Sequence, residues 1–121
     1  MHPGWAFYRC HKGQNHPWVI LSNPDSDGRV LCVNITTLRE ESVDDECILE
    51  PADYAWLTHR SVVAFSRARF WTLEQIGEAV QAGLLKRPHP DHIPPATLAK
   101  IVSIAKLEST RQLDPPLKRM L

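Results

Sequence analysis

Two histidines, His16 and His59, stand just before stretches of β-favouring residues and are the first candidates for chemistry. An imidazole exchanges a proton near neutral pH, so a histidine at the rim of a folded sheet can serve as a general acid or base. Histidines beside turns are also ordinary surface residues, and His16 directly precedes a proline. The sequence supports both a catalytic and a surface interpretation of this pair.

Hydroxyl and guanidinium groups occur near the ends of the same stretches. Thr36 and Thr37 close an apolar run, where their hydroxyls could bind a phosphate oxygen. A second set accompanies His59 and comprises Arg60, Ser61, Arg67 and Arg69. Because a guanidinium binds phosphate through two parallel N–H donors, this set predicts an anion-binding site. The alternatives are ordinary strand threonines and a solvated charged edge.

Metal ligation is a rival use for the histidines. The denser groups are Cys10-His11 with His16, and His89 with Asp91 and His92. A structural zinc site takes four ligands at recognisable spacing, and neither group provides them. The sequence also contains no Gly-rich phosphate loop, no nucleophile elbow and no dinucleotide fingerprint. We therefore predict no metal and no cofactor.

Short β-favouring stretches dominate the first part of the chain and would position these groups. Residues 18–21 and 29–37 are rich in apolar and β-branched residues and are separated by a turn containing Asn, Asp and Gly. Further strands are predicted at 47–49 and 61–65. Strands joined by turns rather than by helices favour an antiparallel sheet, and closure into a barrel removes the exposed edges. We predict a small antiparallel barrel over residues 1–71.

The hydrophobic period changes at Thr72. Thr72 is a predicted N-cap, Gln75 stands at the capping-box position, and apolar residues then recur at helical spacing as far as Gly83. A proline-rich connection follows, and Pro95 suits the first turn of a second helix. Two helices are therefore predicted behind the strands.

Length and composition agree with one domain. A chain of 121 residues suits a single core, so we predict an α+β domain over 1–121 with a barrel part (1–71) and a helical extension (72–121). The fourteen acidic and fourteen basic residues cancel, so an anion-binding surface requires local clustering.

Three widely separated cysteines and the lack of a long apolar run predict reduced thiols, a cytoplasmic location and no membrane contact.

Three segments resemble MazF/PemK-type toxins. Residues 16–22 (His-Pro-Trp-Val-Ile-Leu-Ser), a turn and residues 30–37 (Val-Leu-Cys-Val-Asn-Ile-Thr-Thr) are similar to that family's paired strands, R-P-A-L-V-L-S and an apolar strand ending I-T-S. Residues 61–69 resemble its later S-V-V-like strand and polar continuation. The resemblance covers residues 12–71 and implies an SH3-like barrel that cleaves single-stranded RNA without a metal. It also implies a homodimer silenced by an antitoxin protein.

The resemblance assigns chemistry by position. In that family an arginine before the first strand and a threonine or serine ending the next carry the reaction, and the matching positions here are His16, and Thr36 with Thr37. His16 replaces the arginine, so the mechanism is altered or the activity is absent. RNA cleavage by its own 2′-hydroxyl requires a base, an acid and a cation near the phosphate. The predicted catalytic set is His16, Thr36, Thr37, His59 and Arg67, and the predicted substrate-binding set is Arg60, Ser61 and Arg69.

Two non-catalytic alternatives remain from the sequence. Small SH3-like barrels often bind RNA or protein partners without chemistry, and the balanced charge favours such a module. A regulatory subunit would instead dock through apolar residues near the C-terminus, namely Leu117, Met120 and Leu121.

Overall fold

The computed structural model describes residues 1–9 and 16–121. Its strands are β1 (Ala6–Arg9), β2 (Pro17–Ile20), β3 (Arg29–Thr37), β4 (Ile48–Leu49), β5 (Ser61–Thr72) and β6 (Leu85–Lys86). Its helices are α1 (Leu73–Gln81), α2 (Pro95–Lys106) and α3 (Pro115–Lys118), and a 3₁₀ turn spans Pro51–Asp53. The strands form one antiparallel sheet in the order β4-β5-β3-β2-β1-β6. The predicted α+β class is confirmed.

The sheet is open, since β4 and β6 are its edges and no pairing among the described residues closes it into a barrel. The central strand β3 shows why closure is not needed. Its six consecutive residues 30–35 are all buried, and since side chains alternate along a strand, both faces of the sheet are covered there. One core includes Leu31, Val33 and Ile35 with Ile101 of α2, and the other includes Val30 and Cys32 with Ile76 of α1. Helices cover both faces, so the sheet is a middle layer whose apolar surfaces are buried without closure.

A register shift bends β5. Cys32 pairs with Arg69 and Asn34 with Ala64, so the single residue between them on β3 faces residues 65–68 of β5. Asp44, which is 6% exposed, holds this bulge, because its carboxylate accepts the Ser66 backbone N–H at 2.9 Å and the Ser66 hydroxyl at 2.5 Å. A bulge redirects the side chains that follow it. The shift thereby sets where the arginines after Ser66 lie.

Strands β1 and β6 were not predicted from the sequence. β1 pairs with β2, and the two residues of β6 pair, within the described part of the chain, with β1 alone. Arg87, just after β6, donates from Nε to the Ala6 carbonyl at 2.8 Å, and its guanidinium lies 3.5 Å from the centre of the Trp5 ring. The segment that follows α1 is therefore hydrogen-bonded to β1 and adds a strand to the sheet.

Helix α1 begins as predicted. The Thr72 hydroxyl accepts the Gln75 backbone N–H at 3.1 Å, and the Gln75 side-chain oxygen accepts the Thr72 backbone N–H at 2.9 Å. Both bonds of the predicted capping box are present, so two of the otherwise unpaired N–H groups at this helix start are satisfied.

Replacing Thr72 with alanine is expected to lower the free energy of unfolding by about 1 kcal/mol, because an N-cap hydroxyl contributes roughly 0.5–2 kcal/mol. Urea denaturation followed by circular dichroism measures the change. Ser109→Ala, at an exposed position outside the helices, is the matched control and should change stability by less than about 0.5 kcal/mol. Equal effects of the two substitutions would contradict a capping role.

The two predicted helices are present, and a third, α3, follows them. Leu117, Met120 and Leu121 pack against the α2-side core, so the C-terminus docks on the domain.

Cys32 and Cys47 are buried free thiols, and burial raises the pKa of Cys32 to about 12 and that of Cys47 to about 11. In the described part of the chain, no helix combines the length and hydrophobicity of a membrane span.

Candidate functional site

A cleft of about 1010 Å³ lies where β2 begins, β3 ends and β5 begins, beside the segment 55–60. We call it the end cleft. Its lining residues are His16, Pro17, Ile35, Thr36, Thr37, Leu38, Arg39, Ala55, Trp56, Leu57, Thr58, His59, Arg60, Ser61 and His89. Six of the eight residues predicted for the site therefore share one cleft: His16, Thr36, Thr37, His59, Arg60 and Ser61.

Strand pairing explains how distant parts of the sequence meet in the end cleft. Thr37 pairs with Ser61, and Trp18 pairs with Asn34. In an antiparallel pair one step back on β2 matches one step forward on β3, so the same register places His16 opposite Thr36. Because side chains alternate along a strand, Thr36 and Thr37 point to opposite faces of the sheet. Both line the cleft because it opens around the strand ends.

His16 lies in a positive environment. Its side chain is partly buried, and the pKa of the imidazole is lowered from 6.5 by burial first, then by the positive charges of Arg67 and Arg39. Both effects penalise the protonated ring. At pH 7 His16 is therefore mostly neutral, which is the form that can accept a proton.

Removing the charge of Arg67 is expected to raise the pKa of His16, because one of the two cations that oppose its protonation is lost. The measurement is a pH titration of the His16 ring protons by NMR in wild type and in Arg67→Gln. The matched control is Arg69→Gln, two residues further along β5, because the charges that lower the pKa of His16 are those of Arg67 and Arg39. An unchanged His16 titration in Arg67→Gln would contradict this electrostatic arrangement.

His59, Arg60 and Ser61 line the cleft where the chain enters β5. The Ser61 hydroxyl donates to the His59 carbonyl at 2.9 Å, which orders the chain entering β5. Arg60 Nε donates to Glu50 Oε1 at 2.8 Å, and both side chains are more than half exposed, so the ion pair is weak and partly offsets the Arg60 charge. Within residues 1–9 and 16–121, no side chain hydrogen-bonds the imidazole rings of His16, His59 or His89.

The other two predicted residues lie outside the cleft lining. The positive charge of Arg67 nevertheless lowers the pKa of His16. Arg69 lines a separate groove between the sheet and α1. Residues two apart on a strand lie about 7 Å apart, so Arg67 and Arg69 are near neighbours along β5.

The structure separates the histidines that the metal interpretation would group. His89 lines the end cleft, whereas the His92 ring stacks on His2 at 4.8 Å, with its Nδ1 2.8 Å from Asp91 Oδ1. Cys10 and His11 lie outside the described residues. Among the residues that the structure describes, no three His, Cys, Asp or Glu side chains are grouped to hold a metal ion.

Arg39 was not among the site residues predicted from the sequence, and His89 was considered there only as a metal ligand. Arg39 follows the predicted strand end by two residues, and the positive charge so close to Thr37 was the available signal. His89 comes from a proline-rich connection, and its position depends on tertiary packing for which the sequence has no local signal.

The sequence matches no protein-family model and no curated protein.

Proposed function

We propose that this protein is a metal-independent endoribonuclease that cleaves single-stranded RNA in the end cleft. The observation that carries the proposal is the meeting of His16 and His59 in one cleft with the hydroxyls of Thr36, Thr37 and Ser61. Arg39 lines the same cleft and, with Arg67, acts electrostatically on His16. Acid–base cleavage of a phosphodiester needs these three kinds of group within reach of one phosphate.

The proposed reaction is internal transesterification. Neutral His16 accepts the proton of the ribose 2′-hydroxyl, and the 2′-oxygen attacks the adjacent phosphorus. The bond from phosphorus to the 5′-oxygen of the next nucleotide breaks, and protonated His59 donates a proton to that oxygen. The products are a 2′,3′-cyclic phosphate and a free 5′-hydroxyl, and no oxidant or metal is required for the atoms to balance. The lowered pKa of His16 supports its role as the base.

The arginines and threonines complete the proposed site. Arg67 and Arg39 stabilise negative charge that develops on the phosphoryl oxygens, because guanidinium groups donate paired N–H bonds to such oxygens. Thr36 and Thr37 hold the substrate by hydrogen bonding, and Arg60 and Ser61 bind it at the start of β5. An anion bound beside Arg67 and Arg39 would also raise the pKa of His16, since it offsets their charge.

The relation to MazF/PemK-type toxins belongs to the same proposal. It includes an SH3-like arrangement of the strands, which the bend in β5 and the antiparallel pairing of β2, β3 and β5 support. It also includes a cytoplasmic location, a homodimer and an antitoxin protein that silences the activity. Growth arrest on expression of the chain, relieved by a small protein encoded beside it, is the corresponding cellular test.

A non-catalytic module that binds RNA or a protein partner is the second candidate. The observation that favours it is the apolar share of the end cleft, to which Pro17, Ile35, Leu38, Trp56 and Leu57 contribute. A binding module predicts salt-dependent RNA binding or capture of a peptide, without a cleaved product.

The test uses purified protein, a chelator and two matched single-stranded RNAs that differ only in a 2′-deoxy nucleotide at the cleaved position. We expect the all-ribose RNA to be cut, with a 2′,3′-cyclic phosphate identified by mass spectrometry, and the deoxy-substituted RNA to resist at that position. The 2′-hydroxyl is the nucleophile, so its removal abolishes the step. Cleavage of both substrates, or of neither, would contradict the proposed reaction.

A further inference from the structure

A second concavity of about 440 Å³ lies between α1 and the sheet. We call it the indole groove. Phe7, Trp18 and Trp71 line it from the sheet, and Ile76 and Ala79 line it from α1. Its volume is in the range of pockets that enclose small ligands. We propose that the indole groove binds a nucleobase of the RNA whose scissile phosphate occupies the end cleft, an inference that rests on the proposed function.

The aromatic rings of the groove are held in place before any ligand binds. The rings of Trp18 and Trp71 meet edge to face, with centres 4.9 Å apart and planes at 75°. Phe7, which is 1% exposed, supports Trp71 in the same manner at 6.0 Å and 68°. Both indoles are only partly buried, so each retains accessible surface. Rigid, partly exposed indoles are the kind of surface on which bases of single-stranded nucleic acids stack.

Two arginines identify the ligand as an anion attached to an aromatic ring. Arg9 and Arg69 line the groove, and both are exposed. Within the described part of the chain neither forms an ion pair. Indoles beside guanidinium groups suit a base flanked by phosphodiesters, because stacking and bidentate N–H donation act on the two halves of one nucleotide. A neutral apolar ligand would leave the arginines without a role.

The groove and the end cleft are adjacent along two strands. Trp18 lies on β2, two residues after His16, which directly precedes that strand. Arg69 follows Arg67 by two residues on β5. Two residues of extended chain span about 7 Å, so a strand of RNA leaving the end cleft past Arg67 meets Arg69 and the indoles next. The inferred substrate is therefore a single strand of at least two nucleotides.

The first experiment separates the groove from catalysis. The His16→Ala, His59→Ala double variant is titrated with adenosine 5′-monophosphate, and the indole N–H signals are followed by NMR after assignment with Trp18→Phe and Trp71→Phe. We expect the Trp18 and Trp71 signals to shift with the nucleotide and to remain in place with ribose 5-phosphate, which has no base. Failure of the nucleotide to shift either signal, or equal shifts with ribose 5-phosphate, overturns the inference.

A second experiment fills the groove from the helix side. Ala79→Leu is expected to weaken binding of adenosine 5′-monophosphate about tenfold or more, because the added side chain occupies the stacking surface. Ala82→Leu, just beyond the same helix and outside the groove, is the matched control and should bind as wild type. Arg69→Gln, an exposed position that leaves the core intact, should also weaken binding. Wild-type affinity in both Ala79→Leu and Arg69→Gln overturns the inference.

The two proposals fail in different ways. Cleavage of RNA without a nucleotide effect on the indoles overturns the nucleobase groove and leaves the ribonuclease proposal in place. Nucleotide binding at the indoles without any cleavage supports the groove and overturns the ribonuclease proposal.

Discussion

Replacing His16 and His59 together with alanine is expected to abolish measurable RNA cleavage while the protein remains folded. Each imidazole is proposed to transfer one proton in the transition state, and loss of one such group typically lowers the rate by about 10²- to 10⁴-fold. His59 is exposed and His16 only partly buried, so neither substitution removes a core side chain. The measurement is single-turnover cleavage of a labelled single-stranded RNA in chelator, with circular dichroism of each variant.

His2→Ala is the matched control, since His2 is exposed and lies outside the end cleft lining. It should cleave at the wild-type rate. His89→Ala tests the third imidazole of the cleft, and a loss as large as that of His59→Ala would reassign the acid. An unchanged rate in the double variant would show that neither histidine acts as base or acid.

If the proposed reaction takes place, the wild-type protein is expected to show a pH–rate profile whose acidic limb reports His16. A general base must be unprotonated, so activity falls as pH drops through its pKa, which burial and the two arginines hold below 6.5. In Arg67→Gln this limb should move to higher pH, because the His16 pKa rises. A limb that does not move would separate His16 from the rate-determining proton transfer.

Replacing Phe65 with alanine is expected to lower the free energy of unfolding by about 3–5 kcal/mol, the usual cost of deleting a buried aromatic ring. Phe65 is 1% exposed and belongs to the core between the sheet and α2. It stands at the start of the β5 bulge, where a cavity cannot collapse without disturbing the pairing with β3. Urea denaturation monitored by tryptophan fluorescence measures the change.

Phe70 provides the control within the same strand. It is 47% exposed, and its ring lies 4.8 Å from the Arg29 guanidinium carbon. Phe70→Ala should therefore cost about 1 kcal/mol, the order of an exposed cation–π contact. A similar loss in both variants would mean that Phe65 does not occupy the core that the fold assigns to it.

The strands that the sequence predicted correctly are those with strong local signals. The apolar runs that became β2 and β3, and the turn between them, carry β-branched residues and turn residues in the expected places. The capping box at Thr72 and Gln75 likewise depends on residues three apart, so it could be read directly. By contrast, β6 exists only because two residues meet β1 across the fold, and no local pattern marks it.

The open sheet was not predictable from the strands alone. Short antiparallel strands are compatible with a closed barrel or with a covered sheet, and the difference depends on where the helices pack. Here α1 and α2 cover opposite faces of the sheet, and the C-terminal residues pack on the α2 side. The sequence predicted the helices, but no sequence pattern indicated against which face of the sheet each helix would pack.

By itself the sequence determined the α+β class, the central strands, the start of α1 and the residue types that proton transfer and phosphate binding require. Only the tertiary structure decided which of those residues meet. The register of β3 with β2 and β5 brings His16, Thr36 and Ser61 to one cleft. After the bulge at Ser66, the charge of Arg67 acts on His16, whereas Arg69 lines the indole groove. The physical reason is that local propensities act over a few residues, whereas register and layer packing are set by burial summed over the whole domain.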